Sequence, residues 1–410
     1  MAGKISKVFF HLAGLTILSL TASGELHAQV QDLEKPIWSV SLEPQGYHPL
    51  SKKSANFAKI GGIATSTDIV AVLLGITEAT SIRDRWTAPW DIYVLLYDAS
   101  TGQFLSKNGP WKSGWEYELT STGSGLFVLV VSPLEDSSRL SREFLLLTRE
   151  GKVAKTLKLS VGETEATAMP LKSMAGTELL HSPTGRTILM LTSHYGTIIS
   201  RVVNADSLEV LSESKEALDT NGFRITGISD DEMVASSGNS RFSVRKFDGG
   251  WRPLDKPLEL PPNATRDFWQ FLDSNKLVGQ VYVDRGEFVV SFYDLPTGSS
   301  TNCATKGLAG YNTFLSRFRT VSQDGQYFEF KLYHRDSVSH WLDEKLDGWA
   351  FGISRFSYIW SAASCRAVAR IAHESTPISV SFFPPGIAEV AIVDGSTLKV
   401  FSIPSNSPPH

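Results

Sequence analysis

The chain has 410 residues, 42% of them hydrophobic and 20% charged, which excludes a disordered or fibrous protein. Its net charge of −4 excludes a nucleic-acid binder that relies on a basic face. Two cysteines are too few for a disulfide framework or a cysteine-rich metal centre.

Residues 1–28 read as a signal peptide. Lys4 and Lys7 form a positive start, and Val8 to Ser23 is mostly apolar. Leu26-His27-Ala28 supplies a small residue at a cleavage site, so cleavage is expected after Ala28, with Gln29 first in the mature chain. Loss of Lys4, Lys7 and Glu25 takes the net charge from −4 to −5. The apolar run is too short and too interrupted for a membrane span, and no later segment approaches one, so no transmembrane segment is expected in the mature chain. The expected location is periplasmic or secreted. Residues 29–35 read as a flexible start and 405–410 as a flexible tail.

The remainder is a repeat of strands. A short β-rich run ending in a polar turn recurs at Ile92 to Tyr97, Glu143 to Thr148, Ile198 to Val203, Phe242 to Phe247, Val289 to Tyr293, Phe356 to Trp360 and Leu398 to Phe401. The residues that close these runs are 51, 55, 44, 46, 67 and 41 positions apart. Asp98-Ala-Ser-Thr-Gly102 and Asp294-Leu-Pro-Thr-Gly298 are the clearest turns, with Asp and Gly supplying a local hydrogen bond and a positive φ. A second turn precedes most runs, as in Ser182-Pro183-Thr184-Gly185 and Ser322-Gln323-Asp324-Gly325. Four strands in about 40 to 55 residues is blade spacing, and sustained helical periodicity is lacking. The seventh unit is one strand short. Ile37 to Leu42 can fill that gap as its outer strand and remove an exposed edge. The fold expected is all-β: a seven-bladed β-propeller over residues 36–404, closed by an N-terminal strand that completes the last blade.

These turns resemble those of the bacterial secreted YVTN/WD40-like β-propeller superfamily, over nearly the whole mature chain. The Gly-His and Trp-Asp signatures of true WD40 repeats are missing. The resemblance implies a seven-bladed scaffold and ligand or protein binding, and it implies no reaction.

No local catalytic motif is present. There is no Gly-x-Ser-x-Gly elbow and no phosphate loop, and His373-Glu374 lacks a second histidine four residues on. His334 and His340 have weak metal spacing. No catalytic residue, metal ligand or cofactor is assigned. The two cysteines are expected in the outer strands of neighbouring blades. Such strands commonly lie more than about 7 Å apart, which opposes a bridge, whereas an oxidising compartment favours one. Both a Cys303–Cys365 disulfide and two thiols stay open.

Naming the strands of a blade a to d from the centre outward, the b–c and d–a connections share one face. On or beside that face the reading places Arg83, Trp86, Trp90, Trp111, Trp115, His194, Tyr195, Trp269, Trp341 and Trp349. Rigid aromatic rings with Arg suit the hot spots of a binding surface. Equally, such rings can cap blade ends and pack between neighbours. The segment 334–352 is an insertion in blade six, in which Val338, Trp341, Leu342 and Leu346 allow a short amphipathic helix. The function expected is a scaffold, non-enzymatic, that recognises a protein, peptide or glycan on this aromatic-rich face. The alternative is a propeller enzyme (hydrolase, lyase or oxidoreductase) at the central channel, with Arg83, Asp84, His194, Arg335 and His373 as its polar groups.

Overall fold

The computed structural model describes residues 30–48, 57–78, 88–114, 116–133, 141–160, 176–194, 197–217, 224–237, 241–254, 266–282, 288–303, 318–332, 356–372 and 379–404. Two strands open it, β1 (Gln31–Asp32) and β2 (Trp38–Ser41). Blade one follows as β3 (Phe57–Thr65), β4 (Ile69–Thr77), β5 (Trp90–Asp98) and β6 (Phe104–Ser113). Blade two is β7 (Tyr117–Ser121), β8 (Phe127–Val131), β9 (Arg142–Leu147) and β10 (Val153–Leu159). Blade three is β11 (Gly176–His181), β12 (Thr187–His194), β13 (Thr197–Asn204) and β14 (Val210–Ala217). Blade four is β15 (Arg224–Ile228), β16 (Glu232–Ser237), β17 (Arg241–Lys246) and β18 (Arg252–Pro253). Blade five is β19 (Arg266–Phe271), β20 (Lys276–Tyr282), β21 (Phe288–Asp294) and β22 (Ser299–Cys303). Blade six is β23 (Phe318–Val321), β24 (Tyr327–Leu332), β25 (Phe356–Ser361) and β26 (Arg366–Ala372). Blade seven is β27 (Ser379–Phe382), β28 (Glu389–Asp394) and β29 (Thr397–Ser402), completed by β2.

The chain is therefore a seven-bladed β-propeller closed by its N-terminal strand. β2 pairs antiparallel with β29, Trp38 opposite Val400 and Ser41 opposite Thr397. Each β-rich run singled out in the sequence is the third strand of a blade. The Ser-x-x-Gly turns join first to second strands, and the Asp-x-x-Thr-Gly turns join third to fourth.

Strand periodicity explains the core. Side chains alternate between the two faces of a sheet, and a blade between two neighbours buries both faces. In β8, Phe127, Leu129 and Val131 pack towards blade one, while Val128 and Val130 pack towards blade three. Such clusters recur at all seven blade junctions, including the one where Val72, Leu95 and Tyr97 of blade one meet Val393, Leu398 and Val400 of blade seven. Polar links reinforce them. Thr187 Oγ1 donates to Ser229 O at 2.9 Å, and Trp38 Nε1 donates to Ala99 O at 2.7 Å.

Two features depart from expectation. Residues 31–33 do not hang free: β1 adds a fifth strand to blade six by pairing in parallel with β26. Asp32 there accepts from Arg370 Nε and Nη2 at 2.5 and 2.7 Å. The cysteines are also closer than outer strands allow. Cys303 ends β22, but Cys365 stands in the turn before β26, with φ of 54°. That turn reaches blade five, so the Cα atoms are 5.3 Å apart and a disulfide joins the two blades.

Candidate binding channel

All seven innermost strands, β3, β7, β11, β15, β19, β23 and β27, line one central cavity of about 540 Å³. Apolar wall comes from residues such as Ile63, Leu179 and Phe271. Polar groups stand among them. Glu118 and Thr120 alternate along β7 with the buried Tyr117 and Leu119. His181 Nε2 donates to Glu118 Oε1 at 2.7 Å, which leaves Nδ1 of a neutral ring as an acceptor. His181 Nδ1, Thr226 Oγ1 and Gln270 Nε2 are buried without hydrogen-bond partners. They belong to three consecutive blades and to side chains that line the cavity.

A second hollow of about 250 Å³ adjoins the channel on the d–a/b–c side, sharing Tyr117, Glu118 and Leu179 with it. Lys59, Glu116 and Arg142 complete its charged lining. Arg142 is almost wholly buried and pairs with Glu116, whose side chain is largely exposed. The Lys59 ammonium lies 5.2 Å from the centre of the Tyr117 ring, a cation–π contact. Burial pushes the Tyr117 phenol well above its ordinary value.

The structure separates the aromatic candidates. Trp90 and Trp269 are core residues, 1% and 3% exposed. The reason is a glycine on the adjacent strand against each ring, Gly279 directly opposite Trp269 and Gly75 near Trp90. A side-chain carbon on Gly279 would come within 2.4 Å of the Trp269 ring, and one on Gly75 within 3.0 Å of Trp90. Trp90 is further held against Tyr117, with ring centres 5.8 Å apart. Trp111 is half-buried in β6, opposite Ile92, and packs on the core between blades one and two. His194 ends β12 opposite Thr197. Arg83, Trp86, Trp115, Tyr195, Trp341 and Trp349 lie outside the described residues, as do Asp84, Arg335, His373 and the whole segment 334–352. The channel residues Glu118, His181, Thr226 and Gln270 were not legible in the sequence. They come one each from blades two to five, so no spacing along the chain marks them.

No protein-family model matches this chain, and no curated protein is similar to it in sequence. Among solved structures it is similar to the crystal structure of Raptor from Chaetomium thermophilum, with a TM-score of 0.52 at 9% identity. The match covers 94% of this chain and 30% of that one. This chain therefore spans less than a third of that protein's length, and the likeness is one of fold.

Proposed function

We propose that the mature chain, without its signal peptide, is a periplasmic or secreted binding scaffold that recognises a protein, peptide or glycan on the d–a/b–c face. The observation that carries this reading is the hollow at the channel mouth, where Lys59, Glu116, Glu118 and Arg142 bring both signs of charge beside Tyr117. Trp111 stands towards the same face of blade one, near the end of β6. Arginine and aromatic residues are enriched at interaction sites. The Cys303–Cys365 disulfide supports export, because such bonds persist in oxidising compartments.

A thermal-shift panel of oligosaccharides and peptides on residues 29–410 tests the reading, with Trp111→Ala and Glu116→Gln in parallel. A ligand bound only to the folded state raises the melting temperature. The expected result is a shift that either substitution weakens by more than about fivefold in affinity, the loss of roughly 1 kcal/mol. A ligand whose affinity is the same in both variants binds elsewhere. N-terminal sequencing of the exported protein is expected to begin at Gln29.

The enzymatic alternative draws on one pair, Glu118 and His181, arranged as a carboxylate that orients an imidazole. It predicts a turnover that His181→Gln abolishes while the fold persists.

A further inference from the structure

We propose that the central channel is a separate binding site for a small, neutral, polyhydroxylated molecule of mono- or disaccharide size. The reasoning starts from unmet hydrogen bonds. Buried polar atoms are nearly always partnered, because a bare one loses its hydrogen bonds to water and gains none in return. Three side chains along one arc of the channel, on blades three, four and five, each hold such an atom. His181 Nδ1 accepts, Gln270 Nε2 donates, and the Thr226 hydroxyl does either. Hydroxyl groups both donate and accept, so a molecule bearing several satisfies this mixture, whereas an ion of either sign does not. The Thr226 and Gln270 polar atoms are shielded from the bore, so the proposal requires a change of side-chain torsion at each for a bound molecule to reach them.

Charge selects in the same direction. Glu118 is the one carboxylate among the described lining residues, and its Oε1 is already taken by His181. No lysine or arginine is among the described residues that line the channel itself, and Lys59 and Arg142 stand at the mouth. An anion would enter without a counter-charge and a polycation would find one carboxylate. The apolar wall of Ile63, Leu179 and Phe271 suits the C–H faces of a sugar ring. The volume, about 540 Å³, falls within the range of small-molecule sites, about 300–1,000 Å³.

This site adjoins the hollow proposed for the macromolecular partner and shares Tyr117, Glu118 and Leu179 with it, but Thr226, Gln270 and Trp111 each belong to one site only, so the experiment keeps the two apart. The mature chain is titrated by calorimetry with glucose, cellobiose and myo-inositol, and with citrate, spermidine and triglycine as controls. Calorimetry is chosen because polyols at high concentration stabilise most proteins by exclusion from their surface. At least one of the three neutral polyols is expected to bind saturably. Thr226→Val and Gln270→Leu are each expected to weaken it about tenfold, as loss of a buried hydrogen bond does, while Trp111→Ala leaves it unchanged. On the unsubstituted chain, hydrogen exchange in the bound polyol is expected to slow in 176–181, 224–228 and 266–271, a readout that does not depend on either variant folding. The proposal is overturned if no polyol binds, if only a control binds, if both variants bind as tightly as the parent, or if Trp111→Ala removes the binding.

Discussion

Asp98 shows how one carboxylate organises a turn. Its Oδ1 accepts from Ser100 Oγ at 2.7 Å and from the Thr101 amide and hydroxyl, each at 2.8 Å. Asp294 does the same for Thr297, at 2.9 and 2.6 Å. The side-chain hydroxyls, with the backbone amides behind them, hold both carboxyls below the ordinary aspartate value. A carboxyl depressed in the folded state adds stability above its unfolded value, near 4, and that contribution disappears as pH falls through the lower folded value. The melting temperature is therefore expected to fall as pH drops below about 4, and the fall is expected to be shallower in Asp98→Asn/Asp294→Asn, as read by thermal melts at stepped pH. Gly102 closes the same turn of blade one at φ +73°, and a side-chain carbon there would meet the Trp38 ring at 2.5 Å. Gly102→Ala is expected to cost about 1–3 kcal/mol in chemical denaturation, combining left-handed strain with a clash on the closing strand. At this scale the turns were legible, because their hydrogen bonds are local. The burial of Trp90 and Trp269 was not. It depends on Gly75 and Gly279 on adjacent strands, and nothing in a run of residues says which glycine will lie opposite which ring.

Among elements, the third strands were the readable ones. They are apolar on both faces, since neighbouring blades cover both. Fourth strands are fainter: β10 is exposed over most of its length and β18 has two residues. An outer strand needs hydrogen bonds more than apolar side chains, so its sequence carries little hydrophobic pattern. The disulfide was undecidable for a related reason. Whether Cys365 meets Cys303 depends on how far one turn leans across a blade junction. The bridge closes a sequence separation of 62 residues and joins blades five and six. Removing it by Cys303→Ser/Cys365→Ser is expected to lower stability by about 2–4 kcal/mol, mostly by freeing the unfolded chain. Denaturant titration with and without reductant reads the effect, and the double variant is expected to be insensitive to reductant.

For the whole molecule, the ring was legible from its period, and the missing strand of the seventh unit pointed to the N-terminus. The channel was not, because its lining is collected one strand at a time from the entire ring. Seven junction cores share the burial, and the junction between blades seven and one is made by residues from both ends of the sequence. Deleting residues 29–42 is expected to leave β29 as an open edge and to produce aggregates on size-exclusion chromatography where the parent gives none.

The pairing of β2 with β29 also sets a timetable. A ribosome makes residues 38–41 more than 300 residues before their partners, residues 397–400. The opening strand must wait, unpaired, until blades one to six have been made and its slot exists. Those blades can form as they emerge, but the circle closes only once β29 has left the ribosome.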